Sequence, residues 1–414
     1  MAEVRKHRVL IHTLSFIPDG VSTAYLYGDI AEKLKNEGNE VTVLTSTPHN
    51  NPPEDVSMLK KKVWGLYYKS DYKGIKVYHI PQSKPQSFLK RGFQFIKFHL
   101  LSFLIGCFLP KYDVILTPSP PLTIGLVTVI LAKLKGAKAI YNVQEIYPDI
   151  VVYEGIIKNS FFIKLLERLE RFIYNNCNKV VTIDKYFEDI IYDRVRDKTK
   201  LEIIPNFIDT DLYKPLPRIN DFTLQYKLEN KFVIGYIGNI GPYQDWTIIV
   251  ESAIKLRKEP VVFLIVGGGI KKEWLAQQIQ ENNLENVLLL DYQQRDTIPL
   301  INASADIHFI PMTPMSDLYG LPSKLFAIMA SGRSVLASSG ESSAISRIIM
   351  QADCGFRVDL GDSRALTEMV KDLMEEKEKL AAKAKKGREY VDEFYSKEIV
   401  TGKYYSLIND LINE

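Results

Sequence analysis

One short segment in the second half of the chain combines glycine, a hydroxyl and a cation. It reads Tyr319-Gly320-Leu321-Pro322-Ser323-Lys324-Leu325 and precedes an apolar stretch that ends at Gly332. Amides at a helix start and a lysine ammonium both present positive charge to an anion. The segment therefore predicts a diphosphate site with Lys324 as its cation.

Two glycine-rich segments precede it, each after an apolar run. They are Gly235-Tyr236-Ile237-Gly238-Asn239-Ile240-Gly241 and Val266-Gly267-Gly268-Gly269. The first has dinucleotide-like spacing but lacks the third glycine, and glycine after a strand is usually a turn. Neither segment is specific alone.

Acidic residues mark two loops in the first half. Asp19-Gly20 allows either a close backbone approach to a ligand or an ordinary glycine turn before a capped helix. Glu145 follows an apolar run, where a carboxylate suits sugar hydroxyls or an electron-poor anomeric carbon. The alternative is a polar loop whose Asp149 caps the next helix.

The elements that must position these residues alternate between short apolar runs and helix-length amphipathic segments. This pattern predicts an α/β fold of two doubly wound parallel sheets, since 414 residues exceed the usual size of one core. The predicted strands are 8–12, 40–45, 75–79, 114–117, 139–142, 179–183 and 201–204, then 232–236, 261–266, 287–290, 307–310, 334–337 and 355–358. Prolines 205, 215 and 217 predict a linker over 205–221. Asp209-Thr210-Asp211 within it matches a metal motif, but such turns are common, and we predict no metal site.

Composition is that of an ordinary globular protein, with 46% hydrophobic and 25% charged residues. Cys107, Cys177 and Cys354 show no metal or disulfide spacing, so we expect all three to be packing residues in a reducing compartment. Because the first predicted strand begins at Arg8, we expect no signal peptide. The longest apolar stretch, Phe98 to Pro110, is shorter than the roughly 20 residues a bilayer requires.

Positive charge is concentrated between Met58 and Leu100, where ten Lys or Arg residues accompany the single acid Asp71. Phenylalanines are interleaved with Lys84, Lys90, Arg91 and Lys97, a composition typical of interfacial helices. Residues 84–108 are therefore predicted to contact an anionic membrane. Nucleic-acid binding is not predicted, because no strand array or recognition helix accompanies the charge.

In this order and spacing, the segments resemble the retaining GT-B glycosyltransferases of family 4, over essentially the whole chain. The residues that carry the resemblance are Asp19-Gly20, Asn206-Phe207-Ile208-Asp209, Gly238 to Gly241, Val266 to Gly269, Ser304-Ala305-Asp306 and Leu321 to Gly332. Thr117 to Pro121 and Asn142 to Glu145 further resemble the bacterial surface-polysaccharide branch, which includes fucosamine and colanic-acid-type transferases.

The resemblance implies two Rossmann-like domains with an interdomain cleft. Residues 1–208 would bind the acceptor, residues 209–392 the donor, and residues 393–414 would form a helix returning to the first domain. The expected reaction transfers a hexosyl or hexosaminyl unit, with retention, from a nucleotide-diphosphate sugar, expected to be UDP-linked. The acceptor would be a polyprenyl-diphosphate-linked saccharide at the inner face of the plasma membrane. The enzyme would be cytoplasmic, with no cofactor beyond the donor and no catalytic metal.

Four positions depart from the family pattern. The ribose-binding glutamate falls on Ala327 and its preceding partner on Tyr319, while the phosphate-binding cations fall on Asn239 and Gln244. Lys324 is therefore expected to neutralise more of the diphosphate than usual.

The resemblance assigns catalytic roles to Glu145, Lys324 and Asp19. It assigns donor contacts to Gly20, Gly238, Asn239, Gly241, Gln244, Gly268, Tyr292, Arg295, Tyr319, Gly320, Leu321, Pro322, Ser323, Lys324 and Leu325. Arg295 either reads the base or is an ordinary surface arginine.

Two other functions fit the same fold. An epimerase or hydrolase of the nucleotide sugar would need an ionisable group such as His12, which follows the first strand but could equally be a buried core residue. A catalytically silent binding homologue would fit the lost family residues.

Overall fold

The computed structural model describes residues 6–49, 59–83, 88–153 and 155–414. The chain forms two compact units. The first comprises the chain up to Asn206 together with Val400–Glu414, and the second comprises Phe207–Ile399.

The first unit is built on a nine-stranded sheet in the order β3-β4-β5-β2-β1-β6-β7-β8-β9. Its central strands are continuous apolar runs, as expected where helices cover both faces of a parallel sheet. Strand β4 runs antiparallel to both of its neighbours, β3 and β5, whereas the other strand pairs described in this sheet are parallel. The strands are β1 (Arg8–His12), β2 (Glu40–Ser46), β3 (Lys60–Lys62), β4 (Tyr67–Tyr72), β5 (Ile75–Ile80), β6 (Val114–Pro118), β7 (Lys138–Val143), β8 (Lys179–Thr182) and β9 (Leu201–Ile203).

The helices of this unit lie on the two faces of the sheet. Phe98 of one helix belongs to the same buried apolar cluster as Leu10 and Leu44, and Gly28 lies near Tyr72 on the other face. The helices are α1 (Ser22–Asn36), α2 (Phe88–Phe108), α3 (Leu122–Lys135), α4 (Asp149–Tyr153), α5 (Ser160–Asn176) and α6 (Lys185–Ile191).

The second unit has a six-stranded, all-parallel sheet in the order β12-β11-β10-β13-β14-β15. The order reverses between β10 and β13, and ligands of open α/β sheets bind beyond the strand ends at such a point. The strands are β10 (Phe232–Ile237), β11 (Val261–Val266), β12 (Val287–Leu290), β13 (Ile307–Pro311), β14 (Ser334–Ser338) and β15 (Gly355–Val358). The helices are α7 (Asp221–Gln225), α8 (Trp246–Lys255), α9 (Lys272–Glu281), α10 (Ile298–Ala303), α11 (Pro314–Tyr319), α12 (Lys324–Ala330), α13 (Ala344–Gln351), α14 (Ser363–Glu375) and α15 (Lys377–Phe394).

The last helix, α16 (Lys397–Asn413), ends in the first unit. There its Tyr404, which is 2% exposed, hydrogen-bonds the phenol of Tyr27 on α1. The C-terminal helix therefore contacts the N-terminal helix, as the resemblance implied.

The two doubly wound sheets are confirmed, and each predicted strand coincides with an observed one within two residues. Sequence patterning missed β3 and β4, which are rich in lysine and tyrosine and extend the sheet at its edge. The prediction that all cysteines are packing residues is wrong for Cys107. It is exposed because it lies in the last turn of α2, beside the outward-facing Phe108, whereas Cys177 and Cys354 are buried.

No helix within the described ranges is both long enough and apolar enough to cross a membrane.

Candidate functional site

Two glycine loops lie side by side at the carboxyl edge of the second sheet. The amide of Gly238 donates to the carbonyl of Val266 at 2.9 Å, and the amide of Ile240 donates to that of Gly268 at 2.8 Å. Gly267 has φ +154°, and a Cβ there would lie 1.9 Å from the carbonyl oxygen of Gly238. The close approach of these loops therefore requires glycine at 267.

Lys324 brings a cation to the same loops. Its Nζ lies 3.4 Å from the centre of the Tyr236 ring, and a Cβ on Gly238 would be 3.0 Å from that nitrogen. Burial lowers the pKa of Lys324 to about 7. A nearby anion favours the charged form of an amine, so a phosphate at this position would restore the proton.

Tyr236 and Trp246 hold the loop beneath this lysine. The Tyr236 hydroxyl donates to the carbonyl of Asn239 at 2.6 Å, and the indole N–H of Trp246 donates to that of Gly241 at 2.8 Å. The two rings meet edge to face at 4.8 Å. The loop conformation is thus fixed by buried aromatic side chains.

Asn239 and Gln244, which replace the family cations, border this loop. The Asn239 amide group lies within 2.5 Å of the Cβ position on Gly241 and 2.7 Å of that on Gly269. Gln244 accepts a hydrogen bond from the amide of Gly241 at 3.2 Å through its Oε1. Both side chains are neutral, so Lys324 is the cation that the described contacts place here.

The segment before Lys324 divides between accessible and enclosed residues. Ser323 is exposed, whereas Gly320, Leu321 and Pro322 are partly buried. The side chain of Leu325 is fully buried, and its amide donates to the carbonyl of Pro322 at 3.0 Å. The structure thus places Leu325 in the core. The backbone of Tyr319 ends α11, and its side chain lies outside the described parts.

The loops after β11 and β12 carry the other predicted donor contacts. Gly268 has no atom within 4 Å of its Cβ position, and the side chain of Tyr292 is 70% exposed. Arg295 is partly buried and hydrogen-bonds the phenol of Tyr213. Its position is therefore fixed by a protein partner, unlike that of an ordinary surface arginine.

Ala327 and the Asp209-Thr210-Asp211 motif are the two remaining positions where the family pattern or a metal motif would place an acidic ligand-binding residue. Ala327 is partly buried against the apolar cluster that contains Leu325 and Tyr213. Asp209 accepts the amides of Asp211 and Leu212 and pairs with Lys397. The acidic motif is thus a turn whose first carboxylate is already engaged.

In the first unit, Ser119 holds the backbone of Glu145. The Ser119 hydroxyl accepts from the amides of Gln144 at 2.9 Å and Glu145 at 3.2 Å, and it donates to the Glu145 carbonyl at 3.2 Å. The Glu145 side chain is partly buried at the carboxyl edge of β7. One hydroxyl from the loop after β6 thus fixes the predicted acidic residue.

A chain of amides and phenols continues from this loop. Asn142 Oδ1 accepts from the Tyr27 hydroxyl at 2.7 Å and from Gln144 Nε2 at 2.5 Å, while Gln144 Oε1 accepts from Asn206 Nδ2 at 2.8 Å. Tyr27 in turn bonds Tyr404. Gln144 therefore connects the Glu145 loop to the end of the first unit and to the C-terminal helix.

Asp19 is enclosed. Its side chain is 1% exposed, its Oδ2 lies 3.7 Å from Nδ1 of His49, and its amide donates to the Phe16 carbonyl at 2.9 Å. Gly20 beside it is partly buried. The structure thus places the Asp19 carboxylate inside the loop.

Asp149 is paired with Arg194. The guanidinium donates to both carboxylate oxygens of Asp149, at 3.1 and 2.5 Å, and also bonds the buried Glu170 at 2.8 Å. Burial raises the pKa of Glu170 to about 7. This arrangement holds the end of the Glu145 loop against α5.

His12, the histidine considered for an epimerase or hydrolase, is fully buried. It stacks on Phe98 at 6.2 Å, its Nδ1 lies 2.9 Å from the Thr128 hydroxyl, and burial lowers its pKa to about 3. The imidazole is therefore neutral at physiological pH and enclosed by protein.

Sequence reasoning missed the residues that position the predicted ones, namely Ser119, Tyr236 and Tyr404. Ser119 lies between prolines, a sign of a fixed loop. Tyr236 precedes Gly238 by two residues in a strand, which places it at the same strand end. Nothing in the local sequence marks Tyr404, because its partner is far away in the chain.

Two family models match the chain. "Glycosyltransferase Family 4" matches residues 24–212, and "Glycosyl transferases group 1" matches residues 231–376. The matches fall on the two sheets in turn and together span most of the sequence.

Individual relatives agree with these matches. WcaI of Escherichia coli, named as a colanic acid biosynthesis glycosyl transferase, is 27% identical over 340 residues, covering 78% of this chain and 81% of WcaI. WbjE of Pseudomonas aeruginosa, also named as a glycosyltransferase, is 24% identical over 402 residues, or 95% of each protein. The crystal structure of Anabaena HepE in complex with UDP superposes with a TM-score of 0.72 at 16% identity, covering 97% of this chain and 100% of HepE.

Proposed function

The chain belongs to glycosyltransferase family 4 and is a nucleotide-sugar-dependent enzyme with the GT-B fold, and from that premise we propose its substrates. The proposed reaction moves a hexosyl or hexosaminyl unit from a UDP-sugar to a polyprenyl-diphosphate-linked saccharide during synthesis of a bacterial surface polysaccharide. The names of WcaI and HepE's bound UDP support this choice.

The position of the Lys324 amine, beside Gly238 at the edge of the glycine loops, is the observation that carries the proposal. When the glycosidic bond of the donor breaks, its electron pair remains on the diphosphate. A cation held at the edge of the glycine loops stabilises that developing charge.

Glu145 is proposed to act on the sugar and acceptor side. Its carboxylate suits hydrogen bonding to sugar hydroxyls or stabilisation of an electron-poor anomeric carbon. Ser119 and Gln144 fix its backbone before substrate binds, which reduces the ordering required during reaction. Because the Asp19 carboxylate is enclosed, we propose that it acts by holding the Gly20 loop rather than by contacting the reacting atoms.

The proposed chemistry retains the configuration at the anomeric carbon and uses Lys324, with the neighbouring amides and Asn239, in place of a catalytic metal. Gln244, Gly268, Tyr292 and Arg295 are proposed to border the donor.

Helix α2 is proposed to place the enzyme on the cytoplasmic side of a membrane that holds the acceptor. Its outward side chains recur every three or four residues, whereas Phe98 is buried in the core. Those outward side chains are Phe93, Ile96, Leu100, Leu104 and Phe108, with exposed fractions of 51% to 90%. An apolar stripe of this length on a helix with Lys90 and Lys97 and no acidic residue fits an anionic lipid surface. Residues 84–87 of the predicted segment, and the side chain of Arg91, lie outside the described parts.

Product analysis separates this reaction from the alternatives. The purified chain is incubated with a panel of UDP- and GDP-sugars, with and without a polyprenyl-linked saccharide. Acceptor-dependent release of nucleotide, with a glycosylated lipid product, is expected from a UDP-sugar. Sugar modification or nucleotide release without acceptor would instead indicate an epimerase or hydrolase. Absence of both product and donor binding would indicate a silent homologue.

A further inference from the structure

Four lysines share one face of the sheet edge that sequence patterning missed. Lys60 lies opposite Lys69 across β3 and β4, and Lys69 lies opposite Tyr78 across β4 and β5. Directly opposed residues of antiparallel strands, and alternate residues along a strand, point to the same side. Lys62 and Lys76 therefore join Lys60 and Lys69, and we call these four residues the lysine face.

The lysine face is on the same side of the sheet as α2. Tyr78 packs against the cluster that contains Phe98 of α2. On the opposite side, Tyr72 lies near Gly28 of α1. Alternation along β4 therefore places the lysine face beside the helix already proposed to contact lipid.

The lysines on the two sides of this sheet edge differ in whether they form ion pairs. On the α1 side, Lys73 pairs with Glu32 of α1 at 2.6 Å. On the lysine face, no ion pair joins any of the four lysines to another residue in the described ranges. Asp71 shares this face, but its Oδ1 already accepts the amide of Gly74 at 2.7 Å. The lysine face thus presents excess positive charge.

Two tyrosines orient one of these cations. The Nζ of Lys69 lies 4.7 Å from the centre of the Tyr78 ring and 5.8 Å from that of Tyr67. Lys60, Lys62 and Lys76 are exposed beside it. Such a combination of lysine and tyrosine suits a membrane interface, where an amphipathic ring lies between apolar and polar layers.

The lysine face and the apolar stripe of α2 lie at different distances above the sheet, and this difference indicates which polyanion fits. The apolar stripe of α2 is on the outer side of the helix, roughly one helix diameter, about 10 Å, above the sheet. Interfacial helices insert about 5–10 Å into the boundary between headgroups and acyl chains. Lysines set back by this distance meet the phosphate layer when the stripe reaches the acyl boundary. A soluble polyanion would use the lysines without the apolar stripe.

We propose that the lysine face binds the phosphate groups of an anionic phospholipid surface while the α2 stripe inserts beside it. This inference rests on the membrane association in the proposed function and extends it to a site outside α2. The two features would fix the orientation of the first unit on the membrane, because they contact different layers of the lipid.

Lys61 provides a matched control, since it is on β3 between Lys60 and Lys62 but faces the other side. Partition of the full chain onto phosphatidylcholine vesicles, with and without phosphatidylglycerol, is measured by sedimentation at several salt concentrations. A lysine near an anionic surface contributes a factor of about five to binding. Lys62→Gln should therefore weaken binding to the anionic vesicles about fivefold, while Lys61→Gln should change it less than about twofold.

Two further variants separate charge from insertion. The combined Lys60→Gln, Lys62→Gln, Lys69→Gln and Lys76→Gln variant should lose most of the salt dependence. Leu100→Ser with Leu104→Ser should weaken binding at every salt concentration and leave the salt slope unchanged. Unchanged thermal unfolding shows that each variant is folded.

Equal losses for Lys62→Gln and Lys61→Gln would overturn the proposal. So would equal binding to neutral and anionic vesicles, or binding to a soluble polyphosphate chain without binding to vesicles. Because vesicle partition requires no sugar transfer, these outcomes are independent of whether the proposed reaction is correct. Transfer to a water-soluble acceptor analogue should remain unchanged in the lysine variants.

Discussion

Substitutions at Lys324 test whether the charge of this residue, and not its size, binds the donor. Lys324→Met retains most of the side-chain volume without the amine, and Lys324→Arg retains a cation that keeps its charge throughout this pH range. In the free protein, burial lowers the pKa of Lys324 from 10.5 to about 7. A bound diphosphate supplies the opposite charge that favours the protonated form.

The expected size of the pH effect on donor affinity follows from linkage between proton binding and donor binding. If the diphosphate returns the pKa to its ordinary value, the association constant falls about 25-fold between about pH 6.5 and 8.5. The fall occurs because the free protein has lost the proton that the complex requires. Near pH 8, binding of one donor molecule should take up close to one proton.

Isothermal titration calorimetry with a UDP-sugar measures both quantities, since the phosphates of a nucleotide sugar do not titrate in this range. Titrations in two buffers of different ionisation enthalpy report the protons taken up. Lys324→Met should bind the donor at least about tenfold more weakly, as expected for a lost charge-assisted bond of about 1.5–3 kcal/mol, and without the pH dependence. Lys324→Arg should bind with little pH dependence.

The lowered pKa of Lys324 also predicts how the stability of the free protein depends on pH. Between pH 7 and 10.5 the unfolded chain binds a proton that folded Lys324 has lost, so the free energy of unfolding should rise with pH across this window. Lys324→Met should lack that increase. Donor affinity that is constant with pH in the unmodified protein, or unaffected by Lys324→Met, would refute the assignment of Lys324 as the phosphate cation.

Four further substitutions probe other parts of the two candidate sites. Glu145→Gln should lower kcat for transfer on the order of a hundredfold. Donor affinity should stay within about twofold, because the glycine loops that are proposed to bind the diphosphate belong to the second unit. Equal kcat values for the variant and the unmodified protein would contradict the proposed role of Glu145. Gln144→Ala removes the bonds to Asn142 and Asn206, so denaturant unfolding should show a loss of about 1–3 kcal/mol, and kcat should fall more than in variants of equal stability. Gly267→Ala places a Cβ 1.9 Å from the carbonyl of Gly238 and should cost about 2–4 kcal/mol. Gly268→Ala, whose Cβ meets open space, should leave thermal unfolding nearly unchanged; similar losses in both would mean that the loops do not pack as described.

Local patterning predicted the strands of both sheets because parallel strands covered on two faces require continuous apolar runs. It missed β3, whose sequence is three lysines, since that strand exists through its pairing with β4. It also misjudged Cys107, because an apolar run on a helix has one face toward the core and another away from it. Which face is covered depends on neighbouring elements.

At the candidate sites, residue type and order alone predicted the loops that carry Lys324 and Glu145. The tertiary structure determined what encloses these residues. Tyr236 beneath Lys324 and Ser119 beside Glu145 come from other segments, and the bond between Tyr27 and Tyr404 joins the two ends of the chain. Sequence by itself therefore determined which chemical groups follow which strands, since periodicity and residue type are local properties. Only the fold decided their burial, their partners and hence their charge, because desolvation and hydrogen bonding depend on residues distant in the chain.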